Sequence, residues 1–297
     1  MIISTKLPIS YILSSTKWDM LWVLFVSISS YILFQYYIDI PDINMAIPTF
    51  LGTAISLILG FKLSHSYDRW WEARKIWGSI VNDSRTLVIQ LKNFTGTKDI
   101  DGIVKKVANR QIAWNYSLGQ SLRKEDPYAN IEEFLADGEL EYLKGQHNVP
   151  FAMLDLHSED ISSLHAKGCL NDYQQMQIDK TIVRLCESMG KAERIKNTVF
   201  PPTYRIFLHL SIYVFVVMLS EAMVESAGIW EIPRLMLITI PFFFIEKTAY
   251  FLQDPFEGRP TDTPLTAIAR TIEINIKQLL GMGELPTNKA DQGYYVM

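Results

Sequence analysis

Only two cysteines, Cys169 and Cys186, occur among the 297 residues. Neither their number nor their spacing suits a disulfide framework or a zinc site, so reduced thiols in a cytosolic region are expected. Residues 1–17 are polar and mixed, without an early apolar core and a cleavage site, and no removed signal peptide is expected. Basic excess is absent too: 28 Lys and Arg against 32 Asp and Glu give a net charge of −4, which carries no nucleic-acid footprint. The chain holds no convincing strand pair, Gly-rich phosphate loop or internal repeat. It also lacks a Ser/His/Asp or Cys/His set, so neither an enzyme nor a cofactor is expected. His157 and His165 lie amid Asp155, Glu159 and Asp160 but without metal-ligand spacing. They are expected on a solvated loop or helix face, with no metal bound.

The most telling absence is local. No Lys or Arg occurs in residues 18–61 or 206–233. The first region contains two apolar runs, 18–38 and 43–63, joined by the acidic turn Asp39-Ile40-Pro41-Asp42. Each run is long enough to cross a bilayer as a helix, for which about 20 residues are needed. Two further spans fall at 203–224 and 229–252. The former carries His209 and closes on Glu221; the latter has a very apolar centre but includes Arg234, Glu246 and Lys247. Charge inside a span is costly and faces a protein interior or a water-filled cavity, so these two spans belong inside an assembly. A mean hydropathy of only +0.09 for the whole chain fits a few spans carrying a large soluble portion.

Lys6, Lys17, Lys62, Arg69, Arg74 and Lys75 flank the first pair of spans, and Lys191, Arg194, Lys196 and Arg205 precede the second. By the positive-inside rule both termini and the middle region are cytoplasmic. The expected organisation is therefore a cytoplasmic segment (1–17), two spans (18–63), a cytoplasmic helical region (64–202) and two more spans (203–252). A cytoplasmic helix (253–285) and a mobile polar tail (286–297) follow.

The soluble portion reads as helical. Trp77, Ile80, Val81, Leu87, Val88 and Leu91 recur at helical spacing, as do Ile178, Ile182, Leu185 and Met189. Residues 104–122 and 128–143 are further helices, with breaks at Asp126-Pro127 and Asn148-Val149-Pro150. Thr263-Pro264 opens a last helix over 265–280, stopped by Gly281 and Gly283. Arg69, Arg74 and Arg85 are expected to pair with Asp68, Glu72 and Asp83 along a helix surface.

Within the second span, Gly52, Ser56 and Gly60 fall at i, i+4 and i+8, a small-residue stripe that lets helix backbones approach closely in membranes. Thr53, Leu57 and Phe61 sit one residue on, about 100° around the helix. If several copies pack through the small stripe, its neighbour faces a shared axis ringed by a hydroxyl, a leucine and a phenylalanine. A narrow apolar ring of that kind gates by dewetting. Spacing alone favours ordinary packing positions in an intramolecular bundle over a pore.

Three segments resemble the bestrophin family, in particular its bacterial branch. The first is Leu59-Gly60-Phe61, followed by Arg69-Trp70-Trp71-Glu72-Ala73-Arg74, Trp77-Gly78 and Val81-Asn82-Asp83-Ser84-Arg85. The others are Phe200-Pro201-Pro202-Thr203-Tyr204 and Asp254-Pro255-Phe256-Glu257-Gly258. The resemblance covers about residues 1–285. It implies an all-α membrane protein with four spans and a cytoplasmic bundle, assembled as a homopentamer around one axial pore. A neck lined by the second helix would lead into a cytosolic vestibule that narrows again. The resemblance places the neck at Thr53, Leu57 and Phe61 and the inner aperture at Tyr173, with Met176 and Gln177 beside it. Members often carry three large apolar residues at the neck, so Thr53 makes the outer ring wider and wetter.

Animal members bind calcium through a dense acidic run, which here is Glu257-Gly258-Arg259-Pro260-Thr261-Asp262-Thr263-Pro264. One Asp, one Glu and an Arg suit a cation of six to eight oxygen ligands poorly, so no calcium gating is expected. The expected function is passive conduction of small monovalent ions across a bacterial inner membrane. Cations are slightly favoured because the outer turns are acidic, and an anion channel of the same architecture is the alternative. A membrane-anchored helical binding or signalling module is the reading from another class. The expected partners are further copies of the chain, the permeant ions and the bilayer.

Overall fold

The computed structural model describes residues 9–36, 44–96, 102–198 and 200–286. The predicted acidic turn 39–42 and almost all of the predicted tail, 287–297, lie outside the described residues. Among those described are α1 (Ile9–Tyr36), α2 (Ala46–Thr95), α3 (Ile103–Arg123), α4 (Glu139–Lys144) and α5 (Val149–Ala166). They continue with α6 (Asp172–Asn197), α7 (Pro202–Ala227), α8 (Glu231–Gln253) and α9 (Leu265–Leu280). Short 3-10 turns occupy Glu132–Phe134 and Gly228–Trp230, and no strand occurs among the described residues.

Two compact units divide the chain. The described parts of 4–70 and 199–254 form one, and those of 71–198 and 255–297 the other. The 50-residue α2 contributes to both. Asn44 starts it by accepting a hydrogen bond from the Ala46 amide (2.9 Å), which satisfies one of the orphan donors of a helix N-terminus. It ends at Thr95, where Gly96 adopts φ +54°, the left-handed residue that commonly stops a helix.

The first unit packs α1, α7, α8 and the N-terminal half of α2. Val23, Ile55, Leu59, Leu208, Ile212, Phe215, Val216, Leu235 and Phe243 fill its core. Gly52 is required at one place in it: a Cβ there would stand 2.9 Å from the Phe215 ring. Three helices among the described residues are long and apolar enough to cross a membrane, namely α2, Pro202–Met223 of α7, and Gly228–Gln253. They cover the second, third and fourth predicted spans, and α1 is helical over the described part of the first. Outward apolar side chains such as Phe25, Phe50, Phe207, Leu210 and Leu237 remain exposed, as lipid-facing or intersubunit surfaces require.

The second unit is a helical bundle around Trp77, Leu87, Leu91, Ile112, Trp114, Leu118, Ile178, Leu185 and Ile272. Two of its helices begin at side-chain caps. Asn148 accepts from the Phe151 amide (3.1 Å) at the start of α5. Asn171 and Gln174 form a reciprocal capping box at the start of α6. Gly281, at φ 62°, terminates α9 as its sequence implies.

Two expectations fail here. The predicted helix over 128–143 is broken into a turn, the 3-10 segment and the six-residue α4. Asn130 (φ 60°) and Gly138 (φ 81°) reverse the backbone there, while Ile131 and Phe134 bury into the core. Nor do the charges early in α2 make one surface ladder. Glu72 pairs with Lys75 (2.6 Å), whereas Asp83 reaches across to Arg184 of α6 (2.8 Å). Arg69 donates to the Gln253 carbonyl (3.0 Å) instead of serving only a neighbour on its own helix.

Candidate functional site

In the N-terminal half of α2 the helix has two faces. Gly52, Ile55, Leu59, Lys62 and Ser66 are buried, while Thr53, Leu57, Phe61 and His65 on the other side are exposed. Leu57 and Phe61 keep 62% and 59% of their surface uncovered. With a rise of about 1.5 Å per residue, the three proposed neck positions form a stripe roughly 12 Å long. Three hydroxyls near the start of the helix turn back onto its backbone. Thr53 donates to the Thr49 carbonyl (2.8 Å), Thr49 to Met45 (2.7 Å) and Ser56 to Gly52 (2.8 Å). Their protons are thereby used, and what each oxygen offers outward is an acceptor lone pair.

The small-residue stripe divides between the two faces. Gly52 lies against Phe215 of the same chain, whereas Ser56 and Gly60 are exposed, and a Cβ at Gly60 would meet no atom within 4 Å. Only the latter two remain available to a second copy.

Directly after Phe61, Lys62 turns into the protein. Its ammonium is 2.9 Å from Glu246 Oε1 of α8, with the two side chains 2% and 3% exposed. The other carboxylate oxygen, Oε2, stands 3.0 Å from His209 Nε2 of α7. His209 and Glu246 stood out in the sequence as polar residues within apolar runs. Their junction with Lys62, a residue of the flanking basic set, did not. A buried lysine at the end of a span would have been the signal.

In the helical bundle, Tyr173, Met176 and Gln177 all lie on the first turns of α6, with Tyr173 80% uncovered and Met176 48%. The capping box orders the turn that carries them. The structure brings these three residues together at one end of the helix.

The same bundle encloses a polar network. Arg110 of α3 is fully buried and donates through Nε to Glu139 (3.1 Å) and through Nη2 to Glu139 and to Asp160 (2.7 Å for the latter). Its Nη1 faces His157 Nδ1 at 3.3 Å, and His157 Nε2 lies 3.0 Å from Gln111 Oε1. A neutral ring protonated on Nε2 satisfies both contacts, accepting from Arg110 and donating to Gln111. Gln111 then donates to Ser84 (2.9 Å), a residue of the Asn82-Asp83-Ser84-Arg85 segment. Burial, with Arg110 and Lys106 nearby, holds the His157 pKa well below the ordinary histidine value. The expectation of a solvated His157 is therefore overturned, because its partners come from α3. His165 does lie at the surface, 2.8 Å from Asp172.

After α8 the loop is organised by Asp262. Its Oδ2 accepts from the Glu257 and Arg259 amides (2.9 Å each), and Glu257 pairs with Arg259. Among the described residues no group of three or more His, Cys, Asp or Glu could hold a metal ion.

Comparison with known proteins gives a consistent picture. Residues 4–278 match the family described as Bacterial/Fungal Bestrophin protein. A relative from Nostoc sp., named a voltage-dependent anion channel-forming protein, is 30% identical over 256 residues, covering 84% of this chain and 82% of its own. The similarly named YneE of Escherichia coli is 29% identical over 245 residues, covering 82% and 80%. The crystal structure of a bacterial bestrophin homolog from Klebsiella pneumoniae is similar with a TM-score of 0.83 and 29% identity, over 90% of this chain and 99% of that one.

Proposed function

This chain belongs to the bacterial and fungal bestrophin family and is an integral membrane protein, and we propose that it forms a homopentameric channel for passive flow of small monovalent ions. The observation that carries the reading is the exposed stripe Thr53, Leu57 and Phe61 on a membrane-length helix whose opposite face is already buried. A largely apolar stripe whose neighbouring Lys62 is turned away and neutralised suits the wall of a narrow neck. Tyr173, Met176 and Gln177 form the inner aperture, and Ser56 and Gly60 pack between copies. The basic flanks of the spans support cytoplasmic termini and, in a bacterium, an inner-membrane location.

Two readings of selectivity have separate support. The names of the Nostoc and Escherichia coli relatives favour anions. The inward-turned hydroxyls of Thr49 and Thr53 favour cations, since they offer lone pairs but no protons. Calcium does not gate the channel: Asp262 is engaged by backbone amides and Glu257 by Arg259, which leaves few carboxylate oxygens for a cation that takes six to eight.

The test is ion flux and reversal potential in liposomes carrying a NaCl gradient, with parent, Leu57→Ala and Phe61→Ala. Flux is expected in the parent, unchanged between micromolar calcium and chelator, and both variants should change conductance or the permeability ratio. The sign of the reversal potential separates the two selectivity readings. Variants that conduct like the parent would remove the neck assignment, and a steep loss in chelator would remove the calcium-independent reading.

A further inference from the structure

The cluster of buried Lys62 and Glu246 with partly exposed His209 has no part in lining the proposed neck, yet it lies immediately behind its last ring. Lys62 follows Phe61 by one residue, about 100° around α2. Its ammonium is 2.9 Å from one oxygen of Glu246, and His209 Nε2 is 3.0 Å from the other. Lys62 and Glu246 are almost wholly removed from solvent. Charges at such depth are costly unless paired, and their fields are weakly screened. A change in the net charge of the cluster therefore reaches an ion at Phe61 with little attenuation, and in an assembly of several copies the effect is repeated around the axis.

We propose that Lys62, Glu246 and His209 together determine the ion preference of the neck, and that His209 makes this preference respond to protons. The proposal rests on the channel reading. With His209 neutral the cluster sums to zero; with it protonated each subunit carries one additional positive charge behind Phe61. Acidification accordingly shifts preference towards anions. The groups around His209 fit this role. Glu246 faces it from α8, with Lys62 of α2 beyond. Tyr213 of its own helix lies 5.9 Å away, ring to ring, and Tyr213 is hydrogen-bonded to Asp19 of α1. Arg205, one turn earlier on α7, is held over the Tyr250 ring at 4.2 Å. Glu246 is thus the carboxylate in direct contact with the imidazole.

The experiment measures reversal potentials of the full chain in liposomes at fixed NaCl gradient. Glu246→Gln, which leaves Lys62 uncompensated, is expected to raise the chloride-to-sodium permeability ratio by about threefold or more, the field of a buried charge being weakly screened. Lys62→Met should move it the opposite way, and the double variant should return it to the parent value. In the parent, acidification from about pH 7.5 to about pH 5.5 should raise the same ratio, and His209→Gln should abolish that response. This pH arm stands even where the single charge variants fail to assemble. A conducting parent whose ratio ignores pH, or assembled charge variants with the parent ratio, overturns this inference alone. A parent that passes no ion overturns the channel reading with it.

Discussion

His157 shows what single residues can and cannot announce. Its sequence neighbours, Asp155, Glu159 and Asp160, suggested a polar surface. Its buried partners, Arg110 and Gln111, lie more than 40 positions away, and only Asp160 among the neighbours joins the network through Arg110. No local pattern encodes such a meeting. The sign of its pH effect follows from the depressed pKa. The unfolded chain takes up a proton near the ordinary histidine value of about 6.5, whereas the folded state resists it. Stability from this residue is therefore complete above that pH and is lost progressively below it. Melting temperatures should fall between about pH 7.5 and about pH 5.5, and the fall should be smaller in His157→Gln. An equal fall in both proteins would remove His157 as its source.

Individual elements were more legible, to a degree set by their own sequence signals. The helix α9 ran over its predicted residues because a proline opens it and Gly281 closes it. The 128–143 segment misled because its apolar spacing is helical, while Asn130 and Gly138 take left-handed conformations that spacing does not reveal. The second span is the instructive case. Its periodicity separated two stripes, but only the folded chain distinguishes Gly52, pressed on Phe215, from Gly60, which faces open space. Gly52→Ala should accordingly destabilise the protein by about 1–3 kcal/mol through overpacking, less any gain in helix propensity. Gly60→Ala should leave the folded protomer intact, since helix propensity favours alanine by about 1 kcal/mol. If Gly60 packs between copies, this second variant should instead lower the stability of the assembly. Thermal melts and size-exclusion profiles measure both effects, and equal behaviour of the two variants would contradict the two-faced description of α2.

At the scale of the whole molecule, hydropathy and the distribution of Lys and Arg were enough to read a membrane protein with a large helical portion. The family followed from motifs at the ends of the spans. The exposed stripe on α2 has a physical meaning only in an assembly or in lipid, and one chain's sequence does not specify which. Composition likewise could not reveal that Lys62 is neutralised inside the protein, because Glu246 lies 184 residues away. The pentameric pore is tested most directly by cryo-electron microscopy of the purified full chain in lipid nanodiscs. A five-fold particle with Thr53, Leu57 and Phe61 of each copy facing the axis is expected; a monomer, or an assembly with that stripe turned to lipid, would contradict the channel reading.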